Sequence, residues 1–221
     1  MPDAELASKP TYQQVAASLR AAYDGSAAQR DRAGKAAWKL AERAAFVDRL
    51  RADRAVRLLE VGAGAGQDSQ FFAASGLTVV ATDNSPGMVA CCVAKGLDAR
   101  VADFLSLGLP AASFDAVYAM NCLLHVPNAD LPAVLRALQF VLRPGRLMFV
   151  GVWGGEGTEG IADDDYHVPP RFFSWRTDEQ LTAAVSAFFE VVDFHVRDLG
   201  EDRFQSMTLR RPALAEGSDR A

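Results

Sequence analysis

Leu58-Leu59-Glu60-Val61-Gly62-Ala63-Gly64-Ala65-Gly66-Gln67-Asp68 is the stretch on which the fold turns. A short apolar run enters three alternating glycines and leaves as a segment with helical character over 67–74. Strand, glycine turn and helix in this order let a nucleoside-type ligand approach the backbone at the carboxyl end of a first strand. Two phosphate-binding versions fail on particular residues. The dinucleotide fingerprint wants Gly or Ala where Gln67 stands, and a P-loop needs a Gly-Lys-Ser/Thr that does not follow. Glu60, two residues before Gly62, and the third glycine, Gly66, point to a different ligand.

Downstream, short apolar runs alternate with helix-like stretches. The strands expected are 56–61, 78–82, 99–102, 114–120, 147–152, 191–196 and 204–209. Ser85 reads as an N-cap with Pro86 at the first helical position, and that helix ends near Lys95-Gly96. An amphipathic helix over 131–142 stops at Arg143-Pro144-Gly145, and Thr177 caps another running to about Phe188. This alternation predicts an α/β chain with a Rossmann-like, doubly wound, seven-stranded and mostly parallel sheet. The last two strands are separated by about seven residues, too few for a parallel crossover, so the final strand must run antiparallel. Upstream, Val15, Leu19 and Ala22 keep helical spacing, as do Trp38, Ala41, Ala45 and Leu50, with a break expected at Asp24-Gly25-Ser26.

Five segments in order now carry a resemblance. Glu60-x-Gly62-x-Gly64-x-Gly66 is similar to the first motif of the class I S-adenosylmethionine-dependent methyltransferases. Asp83 ends the second strand, where that family holds both ribose hydroxyls with an acid. Ala102-Asp103-Phe104 matches the segment that meets the adenine amino group and covers its ring. Phe114-Asp115-Ala116-Val117-Tyr118, continuing to Leu123-Leu124-His125-Val126-Pro127, resembles the fourth strand and the loop beside the methyl donor. Leu142-Arg143-Pro144-Gly145-Arg146-Leu147 resembles the turn before the fifth, with Arg146 in place of the commoner second glycine. The closest subgroup is that of small, metal-independent, small-molecule methyltransferases.

The resemblance implies that S-adenosylmethionine is the donor and S-adenosylhomocysteine the product, with no metal. Tyr23, Glu60, Gly62, Gly64, Gly66, Asp83, Asn84, Met88, Asp103, Phe104 and Asn121 are the expected donor residues. Such a donor carries a sulfonium and a zwitterionic tail but no phosphate, so carboxylates suit it where amides and lysines suit phosphate. The implied layout is a flexible N-terminus over 1–10, an N-terminal helical cover over 11–54 and the donor-binding domain over 55–212. Within that domain a lid or acceptor segment lies at about 153–176, and 213–221 form a flexible tail.

Methyl transfer is an in-line displacement, so orientation and proton removal are what a protein can supply. His125 follows the fourth strand, and its neutral imidazole is the candidate general base; packing or a backbone hydrogen bond is the competing role. Gly151 to His167 is rich in glycine and acid and is followed by bulky aromatics. Tyr12, Tyr166, His167, Arg171, Phe173 and Trp175 are the candidates for the acceptor side, Tyr12 also facing the donor with Tyr23. Asp163-Asp164-Asp165 reads as a solvated loop rather than a metal site.

Composition bounds the rest. The 221 residues are 50 % hydrophobic and 23 % charged, with net charge −5 and three cysteines. That balance disfavours nucleic acid as a partner, and the cysteines make no disulfide framework. MPDAELASKP lacks a signal-peptide pattern, and no apolar run is long enough to span a bilayer, so a cytoplasmic protein away from membranes is expected. Oligomeric state stays open between monomer and homodimer. The expected activity is methyl transfer to oxygen, nitrogen or carbon of a small-molecule acceptor, with bacterial secondary metabolism as its setting. A non-catalytic donor-binding regulatory or partner protein and an aminopropyl transferase are the alternatives.

Overall fold

The computed structural model describes residues 10–200 and 202–213. The flexible termini expected over 1–10 and 213–221 fall, but for Pro10 and Ala213, outside the described residues. Two helices, α1 (Tyr12–Arg32) and α2 (Ala37–Ala52), precede β1 (Arg57–Val61), α3 (Gln67–Ala74), β2 (Thr78–Asp83), α4 (Pro86–Ala94), β3 (Asp98–Val101) and β4 (Phe114–Met120). A single 3₁₀ turn (Leu123–His125) leads to α5 (Leu131–Val141), β5 (Leu142–Trp153), β6 (Thr158–Ile161), β7 (Phe172–Trp175), α6 (Asp178–Ser186), β8 (Glu190–Leu199) and β9 (Asp202–Arg210).

Seven strands form one sheet in the order β3-β2-β1-β4-β5-β9-β8, parallel from β3 to β5. β9 lies antiparallel between β5 and β8, as the short connection requires. β4 is buried along all seven residues, as a strand covered on both faces must be. On one face α2 and α3 bring Phe46, Leu50 and Phe72 onto Tyr118, whose ring stacks on Phe149 at 4.9 Å. On the other, α5 and α6 set Val134, Leu135, Leu138, Leu181 and Val185 against Val117 and Val150. The chain reverses its winding between β1 and β4, which opens a crevice beyond their carboxyl ends.

Two features differ from the sequence reading. α1 runs unbroken through Asp24-Gly25-Ser26, and the break falls at 33–36 instead. Gly25 costs a helix about 1 kcal/mol, and tertiary contacts outweigh it: the Asp24 carboxylate caps α4, taking the Gly87 amide at 2.8 Å and the Ser85 hydroxyl. The glycine- and acid-rich segment is not an irregular loop. β6 and β7 pair antiparallel from Thr158↔Trp175 to Ile161↔Phe172, closing a small second sheet.

A buried carboxylate fastens the helical cover to the far edge of the sheet. Glu42 on α2, 3 % exposed, accepts from the Ser206 hydroxyl at 2.8 Å, His195 Nε2 at 3.0 Å and Arg197 Nε. Burial pushes its carboxyl up, but hydrogen bonds from His195, Arg197 and Ser206 outweigh that and hold it below the usual range. His195 Nδ1 also faces Asp193 at 3.0 Å, so both ring nitrogens meet carboxylates. Burial lowers the imidazole, the two carboxylates raise it, and the net shift is upward. Glu42→Gln is expected to lower unfolding free energy by about 1–3 kcal/mol near pH 6. The raised His195 contributes below its unfolded pKa and is lost as pH rises through its folded value. The depressed Glu42 contribution is lost as pH falls through its own folded value. Urea melts of wild type and variant across pH should therefore show the widest gap between those two limits.

Candidate active site

A cavity of about 370 Å³ occupies the crevice beyond β1, β2 and β4, roofed by α1. The glycine turn shapes its floor, and each glycine has a different task. Gly62 (φ +64°) lies so close to the chain after β4 that a Cβ would collide with Cys122. Gly64 (φ +55°) has nothing within 4 Å of a would-be Cβ, so its open face belongs to the cavity. Gly66 (φ +82°) is not on the wall: it caps α3, with Cys92 Sγ 2.8 Å from its would-be Cβ.

Asp83 closes the turn. Its two oxygens accept the Gly64 amide at 2.8 Å and the Ser85 amide at 2.9 Å, while burial pushes the carboxyl up. Asp103 accepts the Tyr12 hydroxyl at 2.9 Å and the Leu105 amide at 2.8 Å, and burial with the Asp103 charge drives the Tyr12 phenol far up. Phe104 and Met88 line the same wall. Asn84 straps α1 to the sheet: its amide donates to the Ala16 carbonyl at 2.7 Å and its oxygen accepts from Arg20 Nη2 at 2.8 Å. Glu60 is buried, takes the Ser69 hydroxyl, and is pushed up by burial and the neighbouring Asp68 charge. Asn121 is held at φ +55° with its side-chain oxygen buried and without a partner. Strain and an orphan acceptor on one cavity residue mark a place prepared for a ligand donor.

Tyr23 joins α1 to everything beyond β4. Its hydroxyl meets His125 Nε2 at 2.7 Å, and His125 Nδ1 meets the Phe172 carbonyl at 2.7 Å. A carbonyl only accepts, so Nδ1 carries the proton and Nε2 accepts from the phenol. Burial lowers the imidazole to about 4. His125 is thus on the cavity wall, as expected, but both ring nitrogens are engaged and its lone pair is taken by Tyr23. Arg171 Nη1 donates to the same phenol at 3.3 Å and grips Asp165 through Nη2 at 2.8 Å.

The remaining acceptor candidates scatter. Tyr12 and Tyr166 line the cavity; His167, Arg171, Phe173 and Trp175 do not. Phe173 stacks on Trp175 at 5.2 Å and leans on His125 at 4.8 Å. Asp24, next to Tyr23, serves the α4 cap instead of the cavity. Asp165 in the acid-rich segment pairs with Arg171 and His167.

Four basic residues that are not among the sequence candidates, Arg20, Arg30, Lys35 and Lys39, also line the cavity. The signal was the excess of Arg and Lys between Arg30 and Arg57. Lys35 pairs with Asp68, whereas Arg30 and Lys39 have no carboxylate partner among the described residues. The cavity thus offers carboxylates, a lone amide oxygen, an open glycine face and cations. That set fits a phosphate-free nucleoside with an amino-acid tail, the kind of donor the sequence resemblance implies. Among the described residues no group of three or more His, Cys, Asp or Glu side chains is spaced to hold a metal ion.

A family profile described as "Methyltransferase domain" matches residues 58–145. Over that stretch the chain is similar to a methyltransferase domain. It is 38 % identical over 101 residues to a ubiquinone biosynthesis O-methyltransferase of Xanthomonas oryzae pv. oryzae, covering 42 % of this chain and 41 % of that protein. The same-named protein of Methylocella silvestris is 32 % identical over 157 residues, 61 % of this chain and 60 % of the relative. The chain spans about two to three fifths of the length of these relatives. In fold it resembles the Burkholderia thailandensis 1,6-didemethyltoxoflavin-N1-methyltransferase, solved with 1,6-didemethyltoxoflavin and S-adenosylhomocysteine. That likeness has a TM-score of 0.72 at 22 % identity and covers 96 % of this chain and 98 % of the other. The [4+2]-cyclase SpnF also shares the fold, with a TM-score of 0.67 at 21 % identity over 93 % and 97 % of the two chains.

The glycines separate stability from binding. Gly62→Ala should lower the melting temperature sharply, because backbone strain is joined by the clash with Cys122. Gly64→Ala should cost only about 1–2 kcal/mol of left-handed strain, yet weaken S-adenosylhomocysteine at least tenfold in calorimetry.

Proposed function

We propose that this methyltransferase moves the donor methyl to an oxygen, nitrogen or carbon of a small-molecule acceptor. The observation carrying this reading is the single cavity in which Glu60, Asp83 and Asp103 surround the open face of Gly64 while Asn121 presents an unpaired oxygen. When bound, S-adenosylmethionine supplies an electrophilic methyl on a sulfonium.

In this reading each residue orients one part of the donor. Asp83 retains a lone pair on each oxygen for the ribose hydroxyls, its amide partners holding the carboxylate plane fixed. Asp103, with Phe104 beside it, faces the adenine. Glu60 and Asn121 take the ammonium of the tail, and Lys39 or Arg30 its carboxylate. Tyr23, pinned by His125 and Arg171, closes the wall on the side where the acceptor would stand. His125 then acts through Tyr23 as a positioning residue, since its lone pair is already committed. The segment at about 153–176 is the proposed lid, its hairpin docked on α1 through Arg171 and through the Ser18 hydroxyl on the Pro170 carbonyl at 3.2 Å. A cytoplasmic protein acting in bacterial secondary metabolism on a small molecule fits this reading.

Calorimetry should detect S-adenosylmethionine and S-adenosylhomocysteine and no NAD; binding of NAD alone would sink the proposal. Asp83→Asn should weaken S-adenosylhomocysteine by about 1.5–3 kcal/mol, roughly 10–150-fold. Labelled methyl should pass from S-adenosylmethionine into a small-molecule extract. Donor binding without any transfer would favour the non-catalytic reading.

A further inference from the structure

His167 has the features of an oriented base that His125 lacks. His167 follows Tyr166, which lines the cavity, and its side chain is 3 % exposed. Nδ1 lies 2.9 Å from Asp165 Oδ1, and Asp165 is itself 1 % exposed. A carboxylate held this way fixes the tautomer: Nδ1 carries the proton and the lone pair sits on Nε2. Burial raises the Asp165 carboxyl, but hydrogen bonds from the Arg171 side chain, the Arg171 amide and His167 override it and hold the group strongly ionised. Nε2 is buried and has no hydrogen-bond partner. Leaving such an acceptor dry and unpaired costs about 1–3 kcal/mol, which a packing residue such as Leu or Phe would avoid.

Position adds a second argument. The Tyr23 ring stands edge-on between the two histidines, 5.7 Å from His125 and 6.0 Å from His167. His125 has spent its lone pair on the Tyr23 hydroxyl; His167 has not. Base and orienting acid, joined by one hydrogen bond beside the cavity, form the arrangement that proton transfer needs.

His167 sits behind the cavity wall, its ring 4.3 Å from that of Tyr166, which lines the cavity. We propose that His167, oriented by Asp165, is the general base that deprotonates the acceptor once docking of the acceptor against Tyr23 displaces Tyr166 and opens Nε2 to it. The inference rests on the methyl-transfer reading and deepens it: the acceptor class is a small molecule whose nucleophile bears an O–H or N–H that must be lost. As the S–CH₃ bond breaks, its electron pair stays on sulfur and gives neutral S-adenosylhomocysteine. An acceptor lone pair forms the new bond to methyl, the electrons of the O–H or N–H bond remain on the acceptor, and its proton passes to Nε2. The imidazolium so formed keeps its hydrogen bond to Asp165 and returns the proton to water after product leaves.

His167→Asn is the first test, because its amide can still donate to Asp165 and preserve the segment. Labelled methyl incorporation into a small-molecule extract should fall about 100-fold, while calorimetric affinity for S-adenosylhomocysteine stays within about threefold of wild type. In His167→Gly, added imidazole should restore part of the lost transfer. Undiminished incorporation by His167→Asn overturns the proposal, and so does a loss matched by an equal loss of S-adenosylhomocysteine affinity. Imidazole that restores nothing in a His167→Gly protein that still binds S-adenosylhomocysteine overturns it as well. Wild-type protein that binds S-adenosylhomocysteine but labels no metabolite defeats the transferase reading itself, a result these variants cannot mimic.

Discussion

The Asp83 carboxylate is the interaction on which the site depends. It sits at the end of β2 and receives an amide from the turn after β1 and another from the start of α4. Those two bonds fix the open face of Gly64 relative to the α4 terminus. The Ser85 hydroxyl, which caps α4, is held in turn by Asp24 on α1. One buried acid therefore sets the distance between sheet, glycine turn and helical roof. Burial makes that charge expensive, and directed backbone donors make it tolerable.

A second set of contacts ties α1 to the opposite rim. Tyr23 gives its proton to His125, His125 gives its own to the Phe172 carbonyl, and Arg171 bridges the phenol to Asp165. The roof is thus bolted at one end to donor-side elements and at the other to the β6–β7 hairpin. Arg176 supports the arrangement from below, its buried guanidinium donating to the carbonyls of Leu123 and Val126 at either end of the 3₁₀ turn that bears His125. Burial lowers that guanidinium to about 10, still charged at neutral pH. The proposed donor and acceptor sides share one continuous scaffold as a result.

Much of this was legible along the chain. Short continuous apolar runs gave the strands, Ser85 and Thr177 gave helix starts, and the short connection before β9 gave its direction. The glycine turn with Asp83 and Asp103 gave the cavity floor. What misled was local chemistry answering to distant partners. Gly25 looks like a break only while Asp24 has nothing to cap, and β6 looks like a loop only while β7, more than ten residues on, is out of view. Arg30 on α1 and Lys39 on α2 were not candidates because a helix pattern does not say which neighbour its polar face meets.

The sequence by itself determined the succession of strands and helices, the glycine turn and the carboxylates that suit a phosphate-free nucleoside, since spacing and residue type act within a few residues of themselves. Only the tertiary structure decided the proton chemistry. His125 and His167 are alike as letters, and a sequence cannot tell which imidazole keeps its lone pair. That depends on which carbonyl, phenol or carboxylate folding brings within 3 Å of each ring nitrogen, and those partners lie as far as 102 residues away.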